Sequence, residues 1–123
     1  MKKTYLTLPL FALIVACGGG NEKKEATAEV VDLSSNPDYQ KGLELIGKSD
    51  CLTCHKVSDK NIGPAYKDVA AKYENTEENV KMLAGKIIKG GQGVWGAIPM
   101  TPHSTLSQAD AEQMVKYILL LKK

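Results

Sequence analysis

Residues 51–55 read Cys51-Leu52-Thr53-Cys54-His55. Two thiols three positions apart, followed directly by an imidazole, match the attachment site of a c-type haem: Cys51 and Cys54 become thioethers to the porphyrin and His55 ligates the iron. The same thiol spacing serves zinc sites and thioredoxin-like redox pairs, but each of these needs more than the chain supplies. Zinc takes four ligands, and the only other Cys or His residues are Cys17 and His103. No strand–helix–strand pattern surrounds the motif, as a thioredoxin-like site requires.

The flanking pattern is helical, with loops where ligands fall. Asn36 can cap a first helix that has Pro37 in its first turn and Tyr39, Leu43 and Ile46 along one face, before Gly47. A short helix starts near Pro64 and carries Tyr66, Val69, Ala70 and Tyr73. Thr76 can cap a third, whose stripe of Val80, Leu83, Ala84, Ile87 and Ile88 has helical spacing and stops at Gly90-Gly91. Ser107 can cap the last, with Asp110 three positions on and Ala111, Met114, Val115, Ile118 and Leu119 on one side. No period-2 run competes, so the expected fold is all-α, with about four helices around one covalent haem.

A haem held only by His55 would be reactive, so the sixth position decides the chemistry. Met82, Met100, Met114 and His103 are the candidates. Met82 and Met114 lie within or beside apolar helical stripes, where methionine serves as core filler. Met100 instead lies between Pro99 and Pro102, which prevent helix and stiffen the loop, and it follows His55 by 45 positions, enough for two intervening helices. These features assign Met100 as the distal ligand, with His103 as the alternative.

The N-terminus bears on location. Lys2 and Lys3 precede an apolar run from Leu6 to Ala16, shorter than the roughly 20 residues that span a bilayer, as in a secretion signal. Its end, Leu13-Ile14-Val15-Ala16-Cys17, looks like a lipobox, in which Cys17 becomes the lipid-bearing first residue. Residues 1–16 are then a lipoprotein signal peptide, residues 17–35 the lipidated cysteine and a tether, and residues 36–123 the haem domain. An ordinary signal or an uncleaved anchor would also export it. The stretch from Gly18 to Ser35 opens with three glycines and has few large apolar side chains, giving a flexible reach of roughly 23 Å. All sixteen basic residues are lysines, and losing Lys2 and Lys3 leaves fourteen against fourteen Asp and Glu. A formally neutral mature chain argues against nucleic acid as a partner.

Several segments resemble the short bacterial class I cytochromes c of the c-551 type. They are the motif at 51–55, the run from Ile62-Gly63-Pro64-Ala65-Tyr66 to Tyr73, the run Gly91-Gln92-Gly93-Val94-Trp95-Gly96-Ala97-Ile98-Pro99-Met100, and the helix from Ala111 to Leu121. The resemblance implies that the carbonyl of Pro64 accepts from the His55 ring, that Trp95 and Lys86 meet the haem propionates, and that Gly42 gives way to Tyr117 where the first and last helices cross. Thr101 and His103 stand where many of those proteins have a second proline and an asparagine, and Lys86 where an arginine is common.

One-electron transfer follows. With His55 and Met100 on the iron, no coordination site is open for oxygen or peroxide, and a thioether favours the reduced state. The expected protein is a monomeric carrier, not an enzyme. It is exported to the periplasmic or cell-surface side and held at the membrane through Cys17. Its partners are redox proteins of a respiratory chain: a quinol-oxidising complex and a terminal oxidase or reductase. Lys56, Lys60, Lys72 and Lys89 are candidates for steering them. An enzyme or sensor would need Met100 off the iron, and the chain has no arginine to polarise bound peroxide.

Overall fold

Asn36, Thr76 and Ser107 each precede an apolar periodic run, and each caps the helix expected there. A computed structural model describes residues 32–122, with helices α1 (Pro37–Lys48), α2 (Cys51–Cys54), α3 (Tyr66–Lys72), α4 (Glu77–Lys89) and α5 (Gln108–Leu120). The signal over residues 1–16, the lipid site Cys17 and most of the expected tether lie outside the described residues. Asn36 Oδ1 accepts from the backbone N–H groups of Asp38 and Tyr39 at 2.9 and 3.1 Å. Thr76 Oγ1 accepts from Asn79 at 3.3 Å, and Ser107 Oγ from Asp110 at 3.1 Å. Each such cap contributes about 1 kcal/mol. Residues 32–35 form a turn joined to α1, where Gln40 Nε2 donates to the Ser34 carbonyl at 2.5 Å.

The fifth helix, α2, is a single turn made by the Cys51–Cys54 motif itself. Sequence periodicity has no purchase on four residues, and Asp50 at the cap makes no side-chain bond to the turn. Among the described residues, the β-structure is one isolated antiparallel bridge between Gly91 and Met100.

The core is organised by α5, which packs against α1, α3 and α4. Its Ala111, Met114, Val115, Tyr117, Ile118 and Leu119 are all buried, and Ile46, Tyr66, Val80, Ala84 and Ile87 meet them from the other helices. Leu43 departs from the expected α1 face and is 42% exposed, because Gly42 and Ile46 are the α1 residues turned into the core.

Where α1 crosses α5 the backbones nearly touch. A Cβ built on Gly42 would overlap Tyr117 Cβ and lie 2.5 Å from the Gln113 carbonyl oxygen. Across the same crossing Gln113 Nε2 donates to Asp38 Oδ1 at 2.9 Å, and Tyr39 tilts against Tyr117 with ring centroids 4.9 Å apart. Gly42→Ala is therefore expected to destabilise the fold by about 1–3 kcal/mol through overpacking, read as a lower urea midpoint with unchanged slope.

Burial, with Tyr39 beside it, raises the Tyr117 hydroxyl above its ordinary value of 10.0. The folded chain thus keeps this proton at a pH where the unfolded chain releases it. The stabilisation is fully present below about pH 10 and is lost as pH rises towards the folded value. Tyr117→Phe should make the fall in urea stability above pH 10 less steep, measured against the wild type.

Candidate haem site

The Cys51-x-x-Cys54-His55 turn ends with His55 in an extended conformation, and the chain then folds back beneath its own motif. Gly63 N–H donates to the Cys54 carbonyl at 2.9 Å, Tyr66 N–H to Lys56 at 2.9 Å and Lys67 N–H to Val57 at 3.1 Å. Asn61 Nδ2 donates to the Thr53 carbonyl at 3.1 Å. This return brings the Pro64 carbonyl 2.8 Å from Nδ1 of His55. A carbonyl can only accept, so Nδ1 carries the proton and Nε2 keeps its lone pair.

Two neighbours confine the ring. A Cβ on Gly63 would strike His55 Cε1 and lie 2.8 Å from Nδ1, so the imidazole fills the space a side chain would take. Tyr66 stacks on the ring with centroids 5.5 Å apart and planes 16° from parallel. Burial pushes the Tyr66 hydroxyl well above the usual tyrosine range, with Cys51 and Tyr117 adding to the effect.

Cys51, Cys54, His55 and Pro64 line a cleft of about 460 Å³, together with Lys86, Trp95 and Met100. That volume lies within the roughly 300–1,000 Å³ of cofactor sites. Its inner surface includes Ile46, Val69, Leu83, Ile87, Met114, Val115 and Ile118, an apolar bed that suits a macrocycle. Burial raises the unattached Cys51 thiol above its ordinary value, the reverse of what activates a dithiol redox pair. Among the described residues no three His, Cys, Asp or Glu side chains converge as a metal-ion cluster. The residues fit a covalently attached haem and do not fit zinc or dithiol chemistry.

The loop carrying Met100 leaves α4 through Gly90, whose φ of 77° belongs to glycine, and a Cβ there would lie 2.6 Å from the Met100 carbonyl. Met100 N–H donates to the Gly91 carbonyl at 2.8 Å, and His103 N–H to that of Ile87 at 3.0 Å. Within the loop Gly93 N–H reaches Gly96 at 3.0 Å and Gln92 Nε2 reaches Ala97 at 2.6 Å. Met100 is partly buried and packs against the core cluster. Lys86 lies along Gly91, its Cδ 3.2 Å from where a Cβ would stand. Trp95, 38% exposed, sits at the rim beneath the Lys72 ammonium, 5.7 Å from the ring centroid.

The other candidates line the same cleft in different settings. Met114 is 1% exposed in the core, as expected. Met82 is 39% exposed at the cleft mouth and is not core filler, because it lies on the outer side of α4 away from Val80, Ala84 and Ile87. His103 lines the cleft, but its Nε2 meets Asp50 Oδ1 at 2.8 Å. Sequence reasoning gave no part to Gly63, Tyr66 or Asp50 at the site. A glycine directly before Pro64 was the one signal available.

A family model, Cytochrome c, matches residues 39–122. The chain is 47% identical over 83 residues to cytochrome c-552 of Nitrosomonas europaea, covering 68% of this chain and 81% of that one. It is 42% identical over 83 residues to cytochrome c-551 of Allochromatium vinosum, covering 68% and 88%. The crystal structure of wild-type Nitrosomonas europaea cytochrome c552 superposes with a TM-score of 0.61 at 48% identity, over 65% of this chain and 99% of that one. With the thiol pair, the histidine and the apolar cleft in one place, the chain belongs to the cytochrome c family, as a small class I member that carries one c-type haem through Cys51 and Cys54 and transfers electrons rather than turning over a substrate.

Proposed function

We propose that this cytochrome is a His/Met-ligated one-electron shuttle, exported and held at a membrane surface by a lipid on Cys17, and that it passes electrons between a quinol-oxidising complex and a terminal oxidase or reductase. The observation that carries the ligation is the 2.8 Å contact between His55 Nδ1 and the Pro64 carbonyl, which leaves Nε2 as the nitrogen for iron in the cleft that Met100 also lines. When bound, the haem supplies a single iron that takes up and returns one electron.

The residues of the chain set the conditions for that exchange. Pro64 fixes the His55 tautomer and increases the basicity of its Nε2. A Met100 thioether favours the reduced iron and closes the sixth position. Trp95 and Lys86, both on the cleft wall, are the proposed propionate partners: an indole N–H donor and a flexible cation. Ile62, Val94 and Ile98 are exposed on the cleft wall and Leu52 is exposed between the two cysteines, and together they offer apolar surface for brief contact with a redox partner. Lys56, Lys60, Lys72 and Lys89 are candidates for steering, and the domain acts as a monomer.

Export and anchoring rest on the sequence of residues 1–35. Among the described residues no helix is long and apolar enough to cross a membrane; the proposed attachment is the lipid on Cys17. Anchored this way, the haem domain searches for partners within the reach of its tether.

The ligation is tested by the near-infrared sulfur-to-iron charge-transfer band of the oxidised protein. Met100→Ala is expected to abolish this band and open the reduced iron to carbon monoxide, while Met82→Leu and Met114→Leu retain it. Loss of the band in Met114→Leu with retention in Met100→Ala would reverse the assignment.

Anchoring is tested by fatty-acid labelling. Full-length protein should incorporate radioactive palmitate and partition into detergent, and Cys17→Ser should do neither. Residues 36–123, exported with an ordinary signal, should remain soluble with an unchanged haem spectrum, since every proposed haem contact lies within them.

A further inference from the structure

The loop over residues 91–103 is tied by its backbone to α4 and to itself, through Gly91, Met100 and the His103 N–H to Ile87. Among the described residues a single hydrogen bond joins that loop to the side of the cleft built from α2 and the returning segment. It runs from His103 Nε2 to Asp50 Oδ1, 2.8 Å across 53 positions of sequence. His103 stands three positions after Met100, and Asp50 directly precedes Cys51. We propose that Asp50 and His103 form a clasp that holds the Met100 loop closed against the haem-attachment turn, which makes both of them positioning residues for the distal ligand. The proposal rests on the Met100 reading above.

The local chemistry favours this role over a chance surface contact. Asp50 occupies the N-cap of α2 without making a cap hydrogen bond, so its carboxylate is free for His103. That bond holds the Asp50 carboxyl below the usual range. The His103 side chain is 20% exposed against 80% for Asp50, so the carboxylate reaches in from solvent towards a ring that already lines the cleft. His103 Nδ1 is buried without a partner. The imidazole is therefore oriented through Nε2 alone on its side-chain side, and Nε2–H donates to Asp50 whether the ring is neutral or charged. Removing Asp50 takes away the one polar contact that fixes this ring.

An exposed bond of this kind shifts an open–closed equilibrium by about two- to fivefold, not by orders of magnitude. Met100 should thus remain the resting ligand in clasp variants while leaving the iron more often. Carbon monoxide reports that departure, because it reaches the reduced iron only when the thioether is away.

The test uses stopped-flow carbon monoxide binding to the reduced holoprotein together with the near-infrared band of the oxidised form. Asp50→Ala and His103→Ala should each retain the band and bind carbon monoxide about two- to fivefold faster. The double variant should be no faster than the faster single variant, because the two residues act through one bond. Asp50→Glu, which can remake the bond, should return the rate towards the wild-type value. A wild-type rate in Asp50→Ala, or additive effects in the double variant, overturns the clasp while leaving Met100 as ligand. Absence of a Met100-dependent band in the wild type overturns both. Should His103→Ala fail to mature, Asp50→Ala and Asp50→Glu decide the matter alone.

Discussion

The hydrogen bond between the His55 ring and the Pro64 carbonyl constrains this fold more than any other single contact. It requires the chain to turn back within nine residues of the motif histidine, and the backbone bonds from Gly63 to Cys54 and from Tyr66 to Lys56 are what that return consists of. Gly63 is required because the imidazole occupies the place of its side chain. Pro64 cannot donate a backbone N–H, so its carbonyl is its one polar backbone group, and the histidine uses it. The return also places Tyr66 flat against the ring, which starts α3 and carries one edge of the site into the core.

From Tyr66 the packing continues edge-on to Tyr117 at 6.4 Å and then to Tyr39 at 4.9 Å, so three aromatic rings connect His55 to the α1–α5 crossing. The bare Cα of Gly42 permits that crossing, since any larger residue would push Tyr117 away. The histidine's orientation and the packing of the terminal helices therefore belong to one contiguous arrangement. In a domain of this size the protein-only core is small, and the cleft exposes Ile62, Val94 and Ile98 at its rim. A covalently held macrocycle in this cleft would add apolar contact area on its inner face, so the cofactor would also contribute to the core.

What was legible in the sequence was what is local. Asn36, Thr76 and Ser107 announce their helices because a cap acts over two or three residues, and the α4 and α5 stripes follow from helical spacing alone. Met100 was separable from Met114 because a methionine between prolines cannot lie on a helix stripe. Met82 and Leu43 were misplaced for the opposite reason: an apolar residue beside a stripe is assigned inward or outward by a fraction of a turn, and only the packed helix settles which. The α2 turn is shorter than any period. The Asp50–His103 bond links positions 53 apart, and nothing in either neighbourhood points to the other.

These constraints are distributed unevenly around the proposed iron site. The proximal side is over-determined, with the His55 ring held by a carbonyl, a glycine gap and a stacked tyrosine. The loop bearing Met100 is held by contacts spread along its length rather than focused on the thioether: one antiparallel bridge, a backbone bond to α4, a cation over Trp95 and the Asp50–His103 bond. For an electron carrier this division is physically reasonable. Histidine must keep one tautomer in both oxidation states, and a rigid pocket ensures that. A thioether has no proton to place and a flexible stem, so Met100 as the proposed ligand would adapt to small changes in the iron provided the loop stays closed. On the proposed ligation, closure would be an equilibrium with a modest free-energy gap, and side chains remote from the iron, Asp50 among them, would then govern how often the sixth position opens.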